Sequence, residues 1–297
     1  MKIKEVLIVF KKSALERIGS KKAILSKCEL ENLEKNARMH YDTLEKVKKI
    51  LGYYDIESHV IKRTKLPCHD RSADSYDLVI TIGGDGTLLR GAHFVTTTPV
   101  LGVNSAPSNS VGLLCSATAD NFQMILDKIV KDKMKPLLLQ RVQAFINNEP
   151  ICPPALNEVL FAHRSPASTS RYIICFNGKE ENHKSSGVWI ATPSGSTAAV
   201  FAAGGKVLPI KSRNLQFVVR EPFILHKPLE LIEGIIKPRD KLEIISKTIE
   251  GALFIDGQPD IYPIPFGLKV RFKVSPYPLP LMGYNLEKRR SITLQSS

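Results

Sequence analysis

The sequence predicts two parts, an N-terminal doubly wound parallel-sheet α/β domain and an antiparallel, β-sandwich-like domain that follows it. In the first part, apolar strand-like runs alternate with helical patterns, which is the order that a parallel sheet requires. After about residue 135, strand-like runs follow one another, separated by turn signals such as Asn147-Asn148, Asn177-Gly178 and Asp256-Gly257. The predicted fold class is therefore α/β plus all-β.

The first part opens with a continuous apolar run at Glu5–Phe10, which is typical of a strand buried on both faces. Apolar residues then recur at spacings of three and four from Leu30 to Leu51, which predicts a long amphipathic helix. Further strands are predicted at 56–61, 77–82 and 99–103, and further helices at 87–95 and 120–131. We place the first domain at residues 1–118.

The second part is predicted as residues 119–274, with one helix at Ser196–Ala203. Its predicted strands are 143–146, 155–161, 171–176, 188–191, 215–219, 241–245, 252–255 and 268–274. Residues 275–297 show no clear pattern, and we expect this tail to pack back on the first domain.

Composition narrows the classes of partner. The chain has 297 residues, of which 43% are hydrophobic, and a formal net charge of +13 that is spread along its length. Such a charge favours an anionic partner. Zinc-finger spacing, an RNA-recognition signature and a strongly basic groove-binding helix are all absent from the sequence. A phosphorylated small molecule is therefore a better expectation than nucleic acid.

The cysteines and the apolar runs indicate the cellular compartment in which the protein is expected. The five cysteines are scattered and form no Cys-x-x-Cys pair, so neither a zinc site nor a disulfide framework is indicated. The apolar run near the N-terminus is short and lacks a small-residue cleavage site, so we interpret it as a strand rather than a signal peptide. No stretch approaches the ~20 apolar residues of a membrane span. We expect a cytoplasmic protein without membrane contact.

The segment DLVITIGGDGTLLR carries the clearest functional signal. A buried strand leads directly into Gly83–Gly86, and a helix opens at Thr87. Ligands of open α/β sheets bind at the carboxyl ends of the strands, and glycine N–H groups with a helix N-terminus form a phosphate cradle. Asp85 would repel a phosphate, so it is interpreted as a ligand of a divalent ion or as the acceptor of a proton from an attacking hydroxyl. A plain Asp-Gly turn is the alternative.

A second loop, in GVWIATPSGSTAA, repeats the order of strand, turn and helix. Gly195 provides a flexible elbow, and Thr192, Ser196 and Thr197 place hydroxyls around it. Ordinary helix capping by these hydroxyls is the simpler alternative. Their density around one glycine favours a polar ligand.

Several ordered motifs resemble the NAD kinase family from about Ser75 onward. These motifs are GGDGTLLR at 83–90, PVLGVNSAPSNSVGLL at 99–114, ALNEVLF at 155–161, ATPSGSTAA at 191–199, IDGQ at 255–258 and SPYPLP at 275–280. Lipid kinases and phosphofructokinases share the first loop, but their usual downstream patterns do not occur here. The resemblance implies phosphorylation of the adenosine ribose 2′-hydroxyl of NAD or NADH by ATP, with Mg²⁺ as the divalent ion.

The resemblance also implies roles for individual residues. Asp85 would be the general base or activator of the hydroxyl. The phosphates would be held by Gly84, Gly86, Thr87 and Arg90. The dinucleotide would be bound by Asn157, Glu158, Thr192, Ser196, Thr197 and the positions of Ser186 and Ala199, with Asp256 at the rim of the pocket. No protein residues are assigned as dedicated metal ligands.

Two departures separate the chain from the usual family pattern. Ser186-Gly187 stands where members commonly have Asp-Gly, and Ala199 replaces an aromatic residue. Together with the segments at 195–205 and 215–222, these features are closer to plant-type NADH kinases. Loss of a carboxylate near the nicotinamide would weaken binding of the positively charged oxidised ring more than that of the reduced ring. We therefore predict a preference for NADH over NAD as substrate.

Two alternatives stay open at this point. One is a lipid-type kinase of the same loop superfamily, and the other is a nucleotide-binding regulator that has lost turnover. The resemblance further implies a homodimer or homotetramer. The sequence carries no mark that separates ATP from polyphosphate as donor, or that reports feedback by NADPH.

Overall fold

The computed structural model describes residues 2–19, 24–65, 72–108, 110–151, 153–224, 228–257 and 261–294. The chain divides into two compact units, one formed by Met1–Leu137 with Leu279–Ser297 and the other by Leu138–Pro278. One sheet contains the parallel strand pairs, and the two remaining sheets are built from antiparallel pairs. The predicted fold class is confirmed.

The parallel sheet forms the centre of the first unit. Its strands are β1 (Glu5–Phe10), β2 (Glu57–Lys62), β3 (Leu78–Gly83), β4 (Val100–Asn104), β5 (Ala117–Thr118), β6 (Leu137–Leu139) and β19 (Leu279–Leu281). The order is β2-β1-β3-β4-β19-β6, with β5 beside β4. β1 and β2, β1 and β3, β3 and β4, and β4 and β19 pair in parallel, so these five strands run in one direction. β1, β2, β3 and β4 end at the same edge of the sheet, whereas β19 ends level with the start of β4.

The first unit contains five α-helices in its described ranges. They are α1 (Ala14–Ile18), α2 (Lys27–Tyr53), α3 (Asp85–Ala92), α4 (Phe122–Val130) and α6 (Leu286–Leu294). Of these, α2, α3 and α4 bury apolar residues. α2 begins with a capping box, in which Ser26 accepts from the Glu29 N–H and Glu29 accepts from the Ser26 N–H. Its buried residues include Leu44, Val47 and Leu51, which lie in the same core as the strands.

The structure corrects the domain boundary that we placed at residue 118. α4 lies in the first unit, because Phe122, Ile125, Leu126 and Ile129 are buried in the core of the parallel sheet. Residues 279–297 also belong to this unit, through the pairing of β19 with β4.

The second unit contains two six-stranded antiparallel sheets with a shared core. One has the order β11-β10-β15-β18-β7-β8 and the other β14-β13-β12-β9-β16-β17. The strands are β7 (Val142–Ile146), β8 (Glu149–Pro150), β9 (Glu158–His163), β10 (Ser170–Phe176), β11 (Lys179–Ser185), β12 (Val188–Ala191), β13 (Leu215–Val219), β14 (Glu233–Ile236), β15 (Leu242–Ser246), β16 (Gly251–Ile255), β17 (Ile261–Pro263) and β18 (Lys269–Val274). Residues of both sheets, among them Phe161, Phe217 and Phe272, form one apolar cluster.

The predicted helix at Ser196–Ala203 is shorter in the structure. It consists of a 3₁₀ turn at Gly195–Thr197 and the single-turn helix α5 (Ala199–Ala202). The predicted turns are present, because Asn147, Asn148, Asn177 and Asp256 all adopt positive φ. Asparagine and aspartate tolerate this region better than other residues with side chains.

Two sequence expectations concern the cysteines and membranes. Cys28, Cys115 and Cys175 are free thiols, whereas Cys68 and Cys152 lie outside the described residues. None of the helices in the described ranges combines the length and the apolar character needed to cross a bilayer.

His40 ties α2 to two strand ends of the parallel sheet. Its Nε2 lies 2.8 Å from the Lys11 carbonyl oxygen, and its Nδ1 lies 2.7 Å from Ser105 Oγ. A carbonyl only accepts, so Nε2 carries the proton and Nδ1 accepts from the Ser105 hydroxyl. The ring also stacks on Phe10, with centroids 4.4 Å apart. The neutral imidazole therefore holds the residues that follow β1 and β4 in place.

We predict that His40 makes the protein less stable as the pH falls. Burial lowers the pKa of His40, only partly offset by its bond to the Lys11 carbonyl, so the unfolded chain takes up the proton first. Its contribution is complete above the unfolded pKa of about 6.5 and is lost as the pH falls toward the lower folded pKa. Urea unfolding at a series of pH values should show a shallower acid-side slope for His40→Gln than for the parent protein.

The matched control is His59→Gln, because His59 is half exposed on β2. Its slope should equal that of the parent. An unchanged slope in His40→Gln would contradict the assignment of a buried neutral imidazole.

Candidate active site

The loop between β3 and α3 is shaped by close contacts that only glycine permits. At Gly83 (φ +156°), a Cβ atom would lie 2.3 Å from Thr87 Oγ1, and at Gly84 it would lie 2.9 Å from Ser110 Oγ. Gly84 is the N-cap of α3 and supplies no side-chain cap. The N-terminus of α3 is therefore open to an anionic ligand, since its first N–H groups lack intrahelical partners.

Asp85, the first residue of α3, has an oriented carboxylate. Its Oδ2 accepts from the Leu113 N–H and its Oδ1 from the Leu114 N–H, each at 2.8 Å. A carboxylate offers about four lone-pair sites, so acceptor capacity remains after these two bonds. Asp85 is partly exposed, which lets a hydroxyl or a cation reach it. Asp85 is thus more than a turn residue.

A cavity of about 360 Å³ opens in front of this loop. Its lining combines Lys11, Lys12, Arg17, Arg63, Thr64, Gly84, Asp85, Gly86, Thr87 and Ser110. Arg63 also donates from Nη1 to the Gly86 carbonyl oxygen at 3.2 Å. Burial, followed by the charges of Arg17 and Arg63, lowers the pKa of Lys11. Four basic side chains around one small cavity provide an electrostatic environment for a polyphosphate.

These four basic residues were not predicted as site residues. Lys11 and Lys12 follow β1 and Arg63 follows β2, and both strands are parallel to β3. Their carboxyl ends therefore meet Asp85 at one edge, although up to 74 positions separate them in the chain. A basic residue immediately after a buried parallel strand was the available signal.

Three of the four predicted phosphate-binding residues lie at the cavity. Gly84, Gly86 and Thr87 line it together with Asp85. The Thr87 hydroxyl oxygen is buried and has no hydrogen-bond partner within the described residues. Arg90 differs, because it is buried with its guanidinium 5.0 Å from the centre of the Phe94 ring. Arg90 therefore supports α3 rather than lining the cavity.

The cavity beside Asp85 suits a metal ion that enters already bound to a phosphorylated substrate. In the described part of the chain, no group of three or more His, Cys, Asp and Glu side chains converges to hold a metal. Mg²⁺ needs few protein ligands when phosphate oxygens and waters complete its shell. The free acceptor capacity of Asp85 fits that arrangement.

In the second unit, Asp256 organises the start of β9. Its carboxylate accepts from the N–H groups of Leu156 at 2.8 Å, Asn157 at 2.7 Å and Glu158 at 3.0 Å. Asp256 is only 4% exposed. We expected Asp256 at the rim of a pocket, but the structure gives it a buried role that positions Asn157 and Glu158. Gln258, the last residue of the same motif, lies outside the described residues.

The loop after β12 is built directly on Leu156 and Asn157. A Cβ atom at Gly195 would lie 2.1 Å from the Asn157 carbonyl oxygen, so only glycine fits. The hydroxyls of Thr192 and Ser194 both donate to the Leu156 carbonyl oxygen at 2.6 Å. The backbone contacts of this loop therefore fix it against the Asn-Glu segment.

The predicted hydroxyl ligands differ in accessibility. Thr192 and Ser196 are fully buried, and Ser196 donates to the Pro193 carbonyl oxygen at 2.7 Å. These two hydroxyls shape the loop, although neither the 3₁₀ turn nor α5 has a side-chain cap at its start. Thr197 is partly exposed and Ala199 is exposed, so these positions are open to a ligand.

Asn157 and Glu158 carry the clearest sign of a missing polar partner in the second unit. Asn157 Oδ1 and Glu158 Oε2 are buried and have no hydrogen-bond partner within the described residues. Buried polar atoms are normally satisfied, so a bound polar ligand is the natural partner. Burial, followed by the negative charge of Asp256, raises the pKa of Glu158 to about 8.

Ser186 does not lie beside Asn157 and Glu158. β12 pairs antiparallel with β9, with Ala191 opposite Glu158 and Val188 opposite Phe161, so Ser186 lies beyond the far end of the strand from Thr192. Its hydroxyl donates to the carboxylate of Glu221. A carboxylate is therefore present beside position 186, although the residue itself is a serine.

Comparisons with known proteins agree with these motifs. The sequence model of the ATP-NAD kinase N-terminal domain matches residues 6–134, and that of the C-terminal domain matches residues 156–283. The chain belongs to the ATP-NAD kinase family. Membership makes it an NAD(H) kinase, which confirms the family, the activity and the enzyme class predicted from the motifs.

One curated relative and two solved structures illustrate the similarity. It is 37% identical over 265 residues, 80% of this chain and 79% of the relative, to a probable NADH kinase of Oryza sativa subsp. japonica. It resembles an Archaeoglobus fulgidus NAD kinase solved with ATP, at a TM-score of 0.69, 21% identity and 98% coverage of both chains. It also resembles yeast NADH kinase solved with NADH, at a TM-score of 0.74 and 15% identity, covering 99% of this chain and 88% of the other. The two structural likenesses concern the fold.

For this NAD(H) kinase we predict that Glu158 reduces stability as the pH rises. The folded protein holds a proton on Glu158 between the ordinary value of 4.5 and about 8, whereas the unfolded chain releases it. The contribution of Glu158 is therefore complete at low pH and is lost as the pH rises through this window. Urea unfolding should show that Glu158→Gln gains stability relative to the parent between pH 5 and about 8.5.

The exposed Glu149→Gln makes the same chemical change on β8 without burial. Its difference from the parent should not vary with pH in this window. A constant difference for Glu158→Gln as well would contradict the neutral state of Glu158.

Proposed function

We propose that this NAD(H) kinase transfers the γ-phosphoryl group of Mg·ATP to the 2′-hydroxyl of the adenosine ribose of NAD or NADH. The 2′-oxygen forms a bond to the γ-phosphorus, the bond from that phosphorus to the β–γ bridging oxygen breaks, and ADP leaves. The proton of the hydroxyl passes to the Asp85 carboxylate. The observation that carries this proposal is an oriented carboxylate in a basic, phosphate-sized cavity.

Asp85 suits the role of hydroxyl activator by its geometry. Its two bonds from Leu113 and Leu114 hold the carboxylate in a fixed direction. The remaining lone pairs can accept the 2′-hydroxyl hydrogen bond or contact the metal ion. A preoriented acceptor needs no reorganisation when the hydroxyl attacks.

The donor phosphates are assigned to the cavity of the first unit. The open N-terminus of α3 and the N–H groups of Gly84 and Gly86 supply neutral donors. Lys11, Lys12, Arg17 and Arg63 supply the positive charge. Mg²⁺ bound to the nucleotide would neutralise charge that develops on the transferred group and the leaving oxygen. The family description, ATP-NAD kinase, supports ATP as donor.

The dinucleotide is assigned to Asn157 and Glu158, with Thr197 and Ala199 at the open side of the loop. The orphaned Asn157 Oδ1 accepts from a hydroxyl or an amine of the ligand. A protonated Glu158 both donates and accepts, which suits ribose hydroxyls. Asp256 and Gly195 position these residues through contacts with their backbone.

Family membership sets the lipid-kinase alternative aside. The regulator alternative predicts binding without turnover, and incubation with Mg·ATP and NAD or NADH tests it directly. A homodimer or homotetramer and a cytoplasmic location stay predictions.

We predict that Asp85→Asn lowers kcat by about 100- to 10,000-fold, because a carboxamide accepts no proton from the hydroxyl. The dissociation constants of Mg·ATP and NADH should change little, since the phosphate donors remain. Single-turnover kinetics and isothermal titration calorimetry measure the two quantities.

Asp74→Asn is the matched control in the same unit. Asp74 also anchors backbone, accepting from the N–H groups of Thr96, Thr97 and Thr98, but it does not line the cavity. This variant should lose stability and keep its kcat. An Asp85→Asn enzyme with parental kcat would overturn the role of Asp85.

We infer that NADH is the preferred redox form. Ser186 and Ala199 depart from the common family pattern in the same direction, and the relatives named above include a probable NADH kinase and an NADH kinase. Oxidised nicotinamide carries a positive charge that a carboxylate attracts, whereas the reduced ring does not. Because Glu221 places a carboxylate beside Ser186, the inference rests on Ala199 and on the relatives rather than on a lost charge at position 186.

The corresponding prediction is a kcat/KM higher for NADH than for NAD. Coupled assays that measure NADP and NADPH separately give both values. A parent enzyme that favours NAD would contradict this preference.

A further inference from the structure

The C-terminal segment reaches the catalytic edge of the parallel sheet. β19 pairs in parallel with β4, with its last residue Leu281 opposite Val100, the first residue of β4, so the chain leaves β19 in the direction in which β4 runs toward its own end. The Ser116 hydroxyl donates to the Met282 carbonyl oxygen at 2.9 Å and secures this exit. α6 then begins at Leu286, within the same unit as Asp85.

From α6, Lys288 contacts the turn that orients Asp85. Lys288 Nζ donates to the Gly112 carbonyl oxygen at 2.7 Å. The Cys115 N–H donates to the same oxygen at 3.2 Å and closes the turn. Lys288 is half-buried and lines a second cavity of about 490 Å³ together with Asn104, Ser110 and Cys115.

The two ends of one peptide unit contact side chains of opposite charge in this arrangement. The Gly112 carbonyl and the Leu113 N–H belong to the same planar peptide. Its oxygen accepts from the Lys288 ammonium, and its N–H donates to Asp85 Oδ2 at 2.8 Å. A cation on the oxygen polarises the peptide and strengthens its N–H as a donor, since linked hydrogen bonds reinforce one another. The contact therefore acts on the direction and the strength of the bond to Asp85.

The turn is also restrained from its other side. Gly112 adopts φ +55°, and a Cβ atom there would lie 2.5 Å from Asn104 Nδ2. Asn104 Nδ2 in turn donates to the Ser110 carbonyl oxygen at 3.0 Å. With Asn104 at the end of β4 and Lys288 on α6, the peptide between Gly112 and Leu113 is held from two elements.

We propose that Lys288 is a positioning residue of the kinase reaction, which orients the Asp85 carboxylate through the Gly112–Leu113 peptide. This inference rests on the role of Asp85 given above. Of α6, only Lys288 is given this role. Lys288 itself does not contact the reacting atoms in this role.

The test is Lys288→Met, which keeps most of the aliphatic stem and removes the ammonium. We expect kcat to fall about 10-fold or more, as small displacements of a catalytic group cost up to about 100-fold. The dissociation constants of NADH and Mg·ATP and the unfolding temperature should stay near those of the parent. Lys288→Arg should recover most of kcat, and ethylammonium should restore part of the kcat of Lys288→Ala.

Two further measurements separate this role from a merely structural one. In an Asp85→Asn background, Lys288→Met should cause no further loss of kcat, because the group on which it acts is already gone. Glu287→Gln, an exposed neighbour on α6, should keep the parental kcat. Parental kcat in Lys288→Met, additive losses with Asp85→Asn, or an equal loss in Glu287→Gln would each overturn the proposal.

A folding defect would not leave the question undecided. Should Lys288→Met lack a cooperative unfolding transition, Lys288→Gln and Lys288→Arg are compared, and equal kcat values in this pair overturn the role of the charge. Failure of the proposed function itself gives a different result, since the parent protein would then form neither NADP nor NADPH.

Discussion

The bonds from the Leu113 and Leu114 N–H groups to the Asp85 carboxylate are the constraint on which the site of the first unit depends. They join the β3–α3 loop to the segment that follows β4, so two neighbouring strand ends act as one rigid element. Gly83 and Gly84 permit the close approach, and the parallel order of β1, β2 and β3 brings the basic residues to the same edge. A phosphate cavity and an oriented acceptor follow from this one arrangement.

In the second unit, bonds from backbone N–H groups to an aspartate carboxylate position the residues assigned to the dinucleotide. Asp256 accepts three backbone N–H groups and so aligns Asn157 and Glu158, while Gly195 packs on the Asn157 backbone. The negative charge of Asp256 adds to burial in keeping the Glu158 carboxyl neutral near pH 7. In both units an aspartate carboxylate accepts backbone N–H groups. In the first unit Asp85 itself faces the cavity, whereas in the second unit Asp256 aligns Asn157 and Glu158.

Local patterns in the sequence were sufficient for the fold class and for the loop at Asp85, because buried strands and glycine-rich turns are encoded by neighbouring residues. β11 was missed since its sequence, KEENHKS, is that of a charged edge strand with few apolar residues. Lys11, Arg63 and Lys288 were missed as site residues because strand pairing between distant segments brings them to Asp85. The buried roles of Asp256 and Thr192 depend on the partners of their side-chain oxygens, which sequence spacing does not specify.

The division of the chain has a consequence for its synthesis. The first unit needs β19 beside β4 and Lys288 on the Gly112 carbonyl, and both come from a segment that is translated after the whole second unit. The second unit is encoded by one uninterrupted segment and is translated completely before that point. Its antiparallel sheets can therefore mature while the N-terminal sheet still lacks a strand. Vectorial translation then delays completion of the parallel sheet until the whole second unit has been synthesised.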